Sequence, residues 1–513
     1  MGCNILYVKS LYLDTQKKVK FMKLTDEQQA IIDATPPEGG SLLVTAFAGT
    51  GKTFTLEKYA EARSTNRILY VAFNKAIQLE AERKMPSNVM SRTTHSLAYR
   101  VFGAKYQKAG LFQFSVPLWR ISKLLGLWNN IVVANFVDTI LKKFLSSPDR
   151  DITEAHFTQD ILDYYEGALR PPPLIQMAKR VWEDMKSMQS KSLPMTHDGY
   201  LKLYQLSEPV LDFDYIMLDE AQDTTPCVWD IMKKQKCRKI VVGDPFQAIY
   251  EWRGSIDALS KVEDAESLYL SKSFRFGPEV AKLATTLLQR FLGEKRAVSG
   301  LESLSTEIHT TGYPESPTII ARGNNFIFRS AASECGNGER TFGFVGGDHT
   351  NYRFQSVLDV YHVYNDEPDM AKDSLIKSFK SYEELIEYSG KVHSYELESA
   401  IQLVDEYGSR IPNIIKEVKK RDVGAQYSDL TYTTGHKAKG LEFPVVQLAP
   451  DFSGMIEAHK DDPGAGIINS SEMNLLYVAI TRGTEKLFIS PTIKDFIENG
   501  YCTGNFPIWK EVK

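Results

Sequence analysis

Apolar and polar positions along this chain alternate between two rhythms. Short apolar runs predict strands, and longer stretches with an apolar residue every three or four positions predict helices. LTDEQQAII (24–32) opens a helix, with Thr25 as N-cap and Gln28 at the capping-box position. SLLVTA (41–46) predicts a strand with a β-branched core, and TFTLEKYAEARS (53–64) the helix after it. RILYVAF (67–73) is a second strand, followed by the helical NKAIQLEAERKM. Between about 101 and 195 the rhythm is mostly helical, as in LIQMAKRVWEDMKSM (174–188), interrupted by the prolines at 171–173. Strands return at FDYIMLDE (213–220) and KIVVGD (239–244).

A second alternating region begins near Leu268 and includes PTIIAR (317–322), DLTYTT (429–434) and FPVVQLAP (443–450). It closes with a helical stretch at 472–482. Residues 336–424 are polar and mixed, and end in the helical IPNIIKEVKKR. The layout predicts an α/β protein with two cores, each interrupted by an insertion. The first core takes 23–100 and 196–270, with a helical insertion at 101–195. The second takes 271–335 and 425–495, with a small insertion at 336–424. An extension (1–22) and a tail (496–513) flank them.

Composition narrows the class. The 513 residues are 43% hydrophobic and 25% charged, which suits a globular protein of several domains. A net charge of −4 argues against a chain basic throughout, yet a local basic track suffices for nucleic acid. The five cysteines, Cys3, Cys227, Cys237, Cys335 and Cys502, form no CxxC pair, so neither a disulfide framework nor a zinc site is expected. No apolar run reaches membrane-spanning length, and no membrane partner is expected. MGCNIL carries Leu6 where a myristoylation signal needs Ser or Thr, so residues 1–22 are expected to be a plain extension.

Three blocks carry candidate chemistry. AFAGTGKT, residues 46–53, runs from a strand through a glycine turn into a helix. Backbone N–H groups and the helix N-terminus there can cradle phosphates. Lys52 can reach the outer phosphates, and Thr53 can bind Mg²⁺. The usual pattern has glycine where this chain has Ala46. DEAQD (219–223) follows a strand, so Asp219 can serve as magnesium ligand and Glu220 as the base for an attacking water. VVGDPFQAIYEWRG (241–254) offers Gln247 to a phosphate or its water. Tyr250 and Trp252 are either stacking surfaces for bases or core aromatics; spacing leaves both open.

AxxGxGKT, DEAQD, VGDPFQAIYEWRG, SFRFGPEV (273–280), TTGHKAKGLEF (433–443) and NLLYVAITRG (474–483) occur in this order. Together they resemble the motifs of UvrD/Rep-type superfamily 1 DNA helicases over residues 23–495, and that family typically has alanine at the first loop position. HDGYLKLYQL (197–206), SFRFG and HKAKGLEF most resemble its F-box DNA helicase branch. No F-box segment precedes the motor in this sequence, so a ubiquitin-ligase role is not expected.

The resemblance implies two RecA-like P-loop NTPase cores that hydrolyse ATP with Mg²⁺ between them. It implies 3′-to-5′ movement on single-stranded DNA and unwinding of tailed or forked duplexes, in replication, recombination or repair. A translocase that strips single-strand-binding or recombinase proteins from DNA is the alternative. The setting would be cytoplasmic, or nuclear in a eukaryote. Gln28 resembles the adenine-reading glutamine and Phe274 the ring over the adenine. The loop residues Ala46, Phe47, Ala48, Gly49, Thr50, Gly51, Lys52 and Thr53 hold the phosphates. Arg275 and Arg482 resemble the two arginine fingers, and Glu442 the residue that meets the ribose. Phe73, Asn74, Lys75, Thr94, His95, Tyr250, Trp252 and Arg253 resemble the first core's strand contacts, and Thr434, His436 and Lys437 the second core's. Arg275 and Thr433 are only 158 positions apart, so the accessory insertion must be small. Residues 451–470, where some relatives carry a strand-separating hairpin, are expected to form a plain loop.

Overall fold

The computed structural model describes residues 23–128, 130–166, 173–251, 254–392, 394–461 and 470–499. The readings made for residues 1–22, Trp252, Arg253, the 462–469 stretch and the last fourteen residues lie outside them.

Two six-stranded sheets organise the chain. The first contains β1 (Ser41–Ala46), β2 (Ile68–Val71), β3 (Val89–Arg92), β4 (Tyr215–Leu218), β5 (Arg238–Gly243) and β6 (Glu266–Leu270), in the order β3-β2-β4-β5-β1-β6. The second contains β7 (Glu307–His309), β8 (Thr318–Ala321), β9 (Phe342–Phe344), β10 (Leu430–Thr434), β11 (Phe443–Leu448) and β12 (Gly483–Phe488), in the order β7-β12-β11-β8-β10-β9. Neighbouring strands are parallel in both. Parallel sheets are covered by helices on both faces, which is why ILYV, YIML and TIIA are buried at every position. In the first sheet β1 lies between β5 and β6. The phosphate loop therefore leaves the sheet between the ends of two neighbouring strands, one of them the edge strand β6.

The helix Asp26–Asp33 has the expected capping box. Gln28 N–H donates to Thr25 Oγ1 at 3.1 Å, and Thr25 N–H to Gln28 Oε1 at 3.0 Å. The first insertion is helical, built around Ile131–Ser146 and Leu174–Lys186. The second packs the helices Phe354–Tyr364, Tyr382–Val392, Tyr395–Tyr407 and Ile411–Arg421.

Four expectations change. Leu268 lies in β6, which pairs with β1, so the strand near it closes the first sheet and does not open the second lobe. Phe342–Phe344, placed in the insertion, is the edge strand of the second sheet, and three residues are too short to show a period. Much of 451–470 is helical, Pro450–Asp461, because Phe452 and Ile456 share one buried face. The tail begins inside the helix Pro491–Asn499. Phe496 stacks on Phe291 at 4.4 Å, and Ile497 is buried, so both belong to the second core.

The insertions meet each other. Asn135 Nδ2 donates to the Tyr388 hydroxyl at 3.3 Å, and the Tyr164 and Tyr388 rings lie 6.2 Å apart edge-to-face. Between the lobes runs a cleft of about 2900 Å³, whose walls include Thr53 and Glu220 at one end and Phe73 and His436 at the other.

Candidate functional site

The phosphate loop is shaped by two glycines with positive φ, Gly49 at +75° and Gly51 at +79°. A Cβ on Gly49 would lie 2.6 Å from both Arg275 Cβ and Ser273 Oγ. Gly49 thus admits the SFRFG segment, and its carbonyl accepts from Phe274 N–H at 2.8 Å. The Phe274 ring and the Gln28 amide both lie beside Gly51, the ring 3.7 Å and the amide nitrogen 3.4 Å from where a Cβ would sit. The residues assigned to a base are thus together at the mouth of the loop. Ala46, Phe47, Ala48 and Thr50 are buried and shape the turn, with Phe47 stacked on Phe246 at 6.1 Å.

The charged centre lies deeper. Lys52 Nζ pairs with Glu220 Oε1 at 2.7 Å. Burial disfavours the Lys52 ammonium, but the Glu220, Asp219 and Asp244 carboxylates outweigh it and raise its pKa. Burial alone would raise Glu220; the Lys52 and Lys439 charges reverse this and hold it well below the carboxylate range. Asp219 is pushed up by burial and by Glu220. One Asp219 oxygen accepts from the Tyr70 hydroxyl, the other from Glu220 N–H at 2.9 Å. Glu220 itself sits at φ 52°, an uncommon conformation for a side-chain-bearing residue. Gln222 braces it. Gln222 Nε2 donates to Glu220 Oε2 at 2.5 Å, while its Oε1 accepts from Asp244 N–H at 3.1 Å.

Side chains from the second lobe close the site. Arg275 Nε pairs with Glu442 Oε1 at 2.7 Å. Arg482 is fully buried: Nε donates to the Val478 carbonyl at 2.7 Å and Nη2 to Gln247 Oε1 at 3.2 Å. Burial, with the Arg275 charge beside it, pushes the Arg482 guanidinium down to about 9. It remains charged at neutral pH. Glu442 is held below its usual range: burial opposes this, but Arg275 and Arg482 prevail. Two guanidiniums thus share one nearby carboxylate, a local excess of positive charge of the kind that suits a polyanion. Lys439, also from the second lobe, donates to the Gln247 carbonyl at 2.6 Å and pairs with Asp223.

The far end of the cleft is built differently. Phe73 is 45% exposed and stacks on Tyr250, with centroids 6.2 Å apart and planes 14° apart. The Tyr250 hydroxyl donates to the His436 carbonyl at 2.9 Å, so this half-buried ring bridges the lobes. Asn74 caps the helix Lys75–Lys84 by accepting from Ile77 N–H at 2.9 Å, and Lys75 is exposed. His95 Nε2 lies 3.1 Å from Asp198 Oδ1. Lys437 lies over the Tyr352 ring at 3.8 Å. Thr94 and Thr434 differ from expectation: both are buried, and Thr434 Oγ1 accepts from Lys437 N–H. The Thr434 hydroxyl serves the fold as a helix cap.

Sequence reasoning missed Tyr70, Asp223, Asp244, Lys439 and Tyr477. All five lie inside quoted stretches, but nothing in the spacing shows that Lys439 and Tyr477 cross the cleft.

A lysine-bearing glycine loop after β1, an acidic pair after β4 with β5 between the two strands, and two arginines from a second parallel-sheet lobe define a two-lobed P-loop NTPase fold. The chain belongs to the UvrD/Rep-type helicase family: residues 24–265 match the UvrD/REP helicase N-terminal domain and residues 362–494 the UvrD-like helicase C-terminal domain. It is 34% identical over 507 residues to F-box DNA helicase 1 of Gallus gallus, covering 93% of this chain and 50% of that protein. It is 31% identical over 517 residues to F-box DNA helicase protein 1 of Schizosaccharomyces pombe, covering 92% of this chain and 58% of that protein. With the ATP-dependent DNA helicase PcrA of Bacillus subtilis the identity is 23% over 517 residues, covering 91% and 65%. The chain thus spans between half and two thirds of the length of these relatives. No helix among the described residues is long and apolar enough to cross a membrane.

Proposed function

We propose that this chain is an ATP-driven motor that moves 3′-to-5′ along single-stranded DNA and unwinds duplexes with single-stranded tails. The observation that carries the reading is the meeting of Arg275 and Arg482 with Lys52, Glu220 and Gln247 in one cleft that continues to Phe73 and His436. Gln28 and Phe274 hold the adenine, and Glu442 meets the ribose. Backbone N–H groups of residues 49–53 and the Lys52 ammonium grip the phosphates. The donor set suits magnesium: Thr53 and Asp219 would hold Mg²⁺, which when bound neutralises charge on the phosphate oxygens. The triphosphate takes over Lys52, and Glu220 is freed to accept a proton from the attacking water. Gln247 orients that water. Arg275 and Arg482 stabilise the charge that develops on the transferring phosphoryl group.

Because the arginines sit on the second lobe, ATP binding favours closure and product release favours opening. The Phe73–Tyr250 stack and the His436 loop then shift their grip along the strand, with Lys437 continuing the track. Backbone contacts of this kind are indifferent to sequence.

Strand displacement on duplexes tailed at either end, with and without ATP, tests the reading. Unwinding that needs ATP and a 3′ tail is expected; ATP-independent melting or a 5′-tail requirement overturns it. Hydrolysis stimulated by single strands but without displacement would favour the translocase that clears bound proteins.

A further inference from the structure

Tyr477 has been given no part in this scheme, although it is fully buried at the seam. It lies on the second-lobe helix Ser470–Ile480, and its ring packs in an apolar cluster that includes Phe47 and Ala48 of the phosphate loop. Its hydroxyl reaches into the first lobe. It accepts from Ala48 N–H at 3.1 Å and donates to Asp244 Oδ2 at 3.2 Å. A hydroxyl has one donor and two acceptor sites, so both bonds are made at once. Asp244 Oδ2 also accepts from Gln247 Nε2 at 2.7 Å, and its Oδ1 from Phe246 N–H at 3.1 Å. Gln247 Oε1 accepts from Arg482 Nη2 at 3.2 Å, and Arg482 follows Tyr477 by five residues. A chain of hydrogen bonds therefore leaves the second lobe at Tyr477, passes through Asp244 and Gln247, and returns to the second lobe at Arg482.

We infer that Tyr477 is a positioning residue for hydrolysis: its hydroxyl ties the phosphate loop to Asp244 when the lobes are together, and so sets Gln247 against the attacking water. The two bonds join groups on different lobes, so both are lost on opening. Asp244 then keeps one fewer donor, and Gln247 is less firmly held by it. The hydroxyl is bonded to Ala48 N–H and Asp244 Oδ2, and to no group assigned to the nucleotide's base or ribose. It acts on the alignment of Gln247, and its removal leaves the apolar packing of the ring in place. This inference rests on the reading of the chain as a DNA-stimulated ATP hydrolase.

The test is steady-state hydrolysis by Tyr477→Phe with saturating single-stranded oligonucleotide. The expected result is a kcat about tenfold below wild type, the scale of leaving one buried hydrogen-bonding group unsatisfied, with KM for ATP little changed. An unchanged kcat overturns the inference. So does a raised KM at full kcat, which would mean that the hydroxyl shapes only the binding loop. A double-mutant cycle locates the effect: Tyr477→Phe in a Gln247→Ala background should cost nothing further, whereas independent losses that multiply would overturn the route through Gln247. Should Tyr477→Phe fail to fold, Asp244→Asn interrupts the same chain and must show the same loss confined to kcat; full kcat there overturns the inference. A wild-type protein without DNA-stimulated hydrolysis removes the motor reading, and the inference with it. An active wild type matched by its variant removes the inference alone.

Discussion

The two ends of the cleft are built on different principles. At the phosphate-loop end, polar and ionisable side chains are paired or bridged at short range: Lys52 with Glu220, Arg275 with Glu442, and Gln247 between Asp244 and Arg482. At the Phe73 end Phe73 and Lys75 face solvent, and Asn74 and Thr434 are spent on local caps. On the proposed reading the contrast has a reason: phosphoryl transfer is sensitive to small displacements, and groups already held by one another suit it. A grip on a sugar–phosphate chain of any sequence needs only flat rings, exposed cations and backbone. The contrast predicts that changes at the first end act on turnover and changes at the second on the use made of it.

The largest break is expected at Lys52. Lys52→Ala should abolish measurable ATP hydrolysis, with or without DNA, since it removes the phosphate cation and strands Glu220; ordinary turnover in a phosphate-release assay would place the site elsewhere. Next comes Arg482→Ala, expected to lower DNA-stimulated kcat by about a thousandfold, the scale of a lost arginine finger. That is on the order of 4 kcal/mol of barrier. A drop of only two- or threefold would reduce Arg482 to a packing role.

Phe73→Ala should leave basal hydrolysis within about twofold and weaken single-strand binding by about tenfold, the scale of one lost stacking contact. Fluorescence anisotropy with a labelled oligonucleotide reads this directly. Equal affinity would confine Phe73 to supporting Tyr250. Salt sharpens the same contrast, because strand affinity should fall steeply with ionic strength, and a flat response would contradict phosphate contacts.

The smallest effect is one of pH. Burial pushes Asp223 and Asp244 up to about 6, in each case against nearby bonds or charges that lower it. Raised carboxyls are charged above that value and neutral below it. The Lys439–Asp223 pair and the Asp244 network are therefore intact at pH 7 and fade as pH falls through about 6. Turnover should decline severalfold between pH 7 and 5.5, and Asp223→Asn should reduce that slope while lowering the neutral rate.

Much of this architecture was legible because it obeys local rules. The Thr25–Gln28 capping box, the β1–loop–helix unit and the fully apolar strands each follow from a few adjacent residues. Family resemblance supplied the order of the motifs and the residues at both ends of the cleft. What stayed hidden depends on pairs far apart in the chain. Tyr477 meets Ala48 across 429 positions, and Lys439 meets Asp223 across 216. Neither pairing leaves a periodic trace. Phe342–Phe344 was missed because an edge strand of three residues alternates too briefly to register. The helix Pro450–Asp461 was missed because Pro, Asp and Gly cues outweighed the spacing of Phe452 and Ile456.

The bond from Asn135 to Tyr388 has a mechanical consequence. Besides the seam at the nucleotide, the lobes touch a second time where their helical outgrowths meet. Opening at one place must then either break the other or turn about it. If it turns, the outgrowths act as a fulcrum, and a small gap beside the phosphate loop becomes a directed swing of the cleft wall that carries His436. The arm of that lever is set by the geometry of the fold and not by the tightness of any single grip.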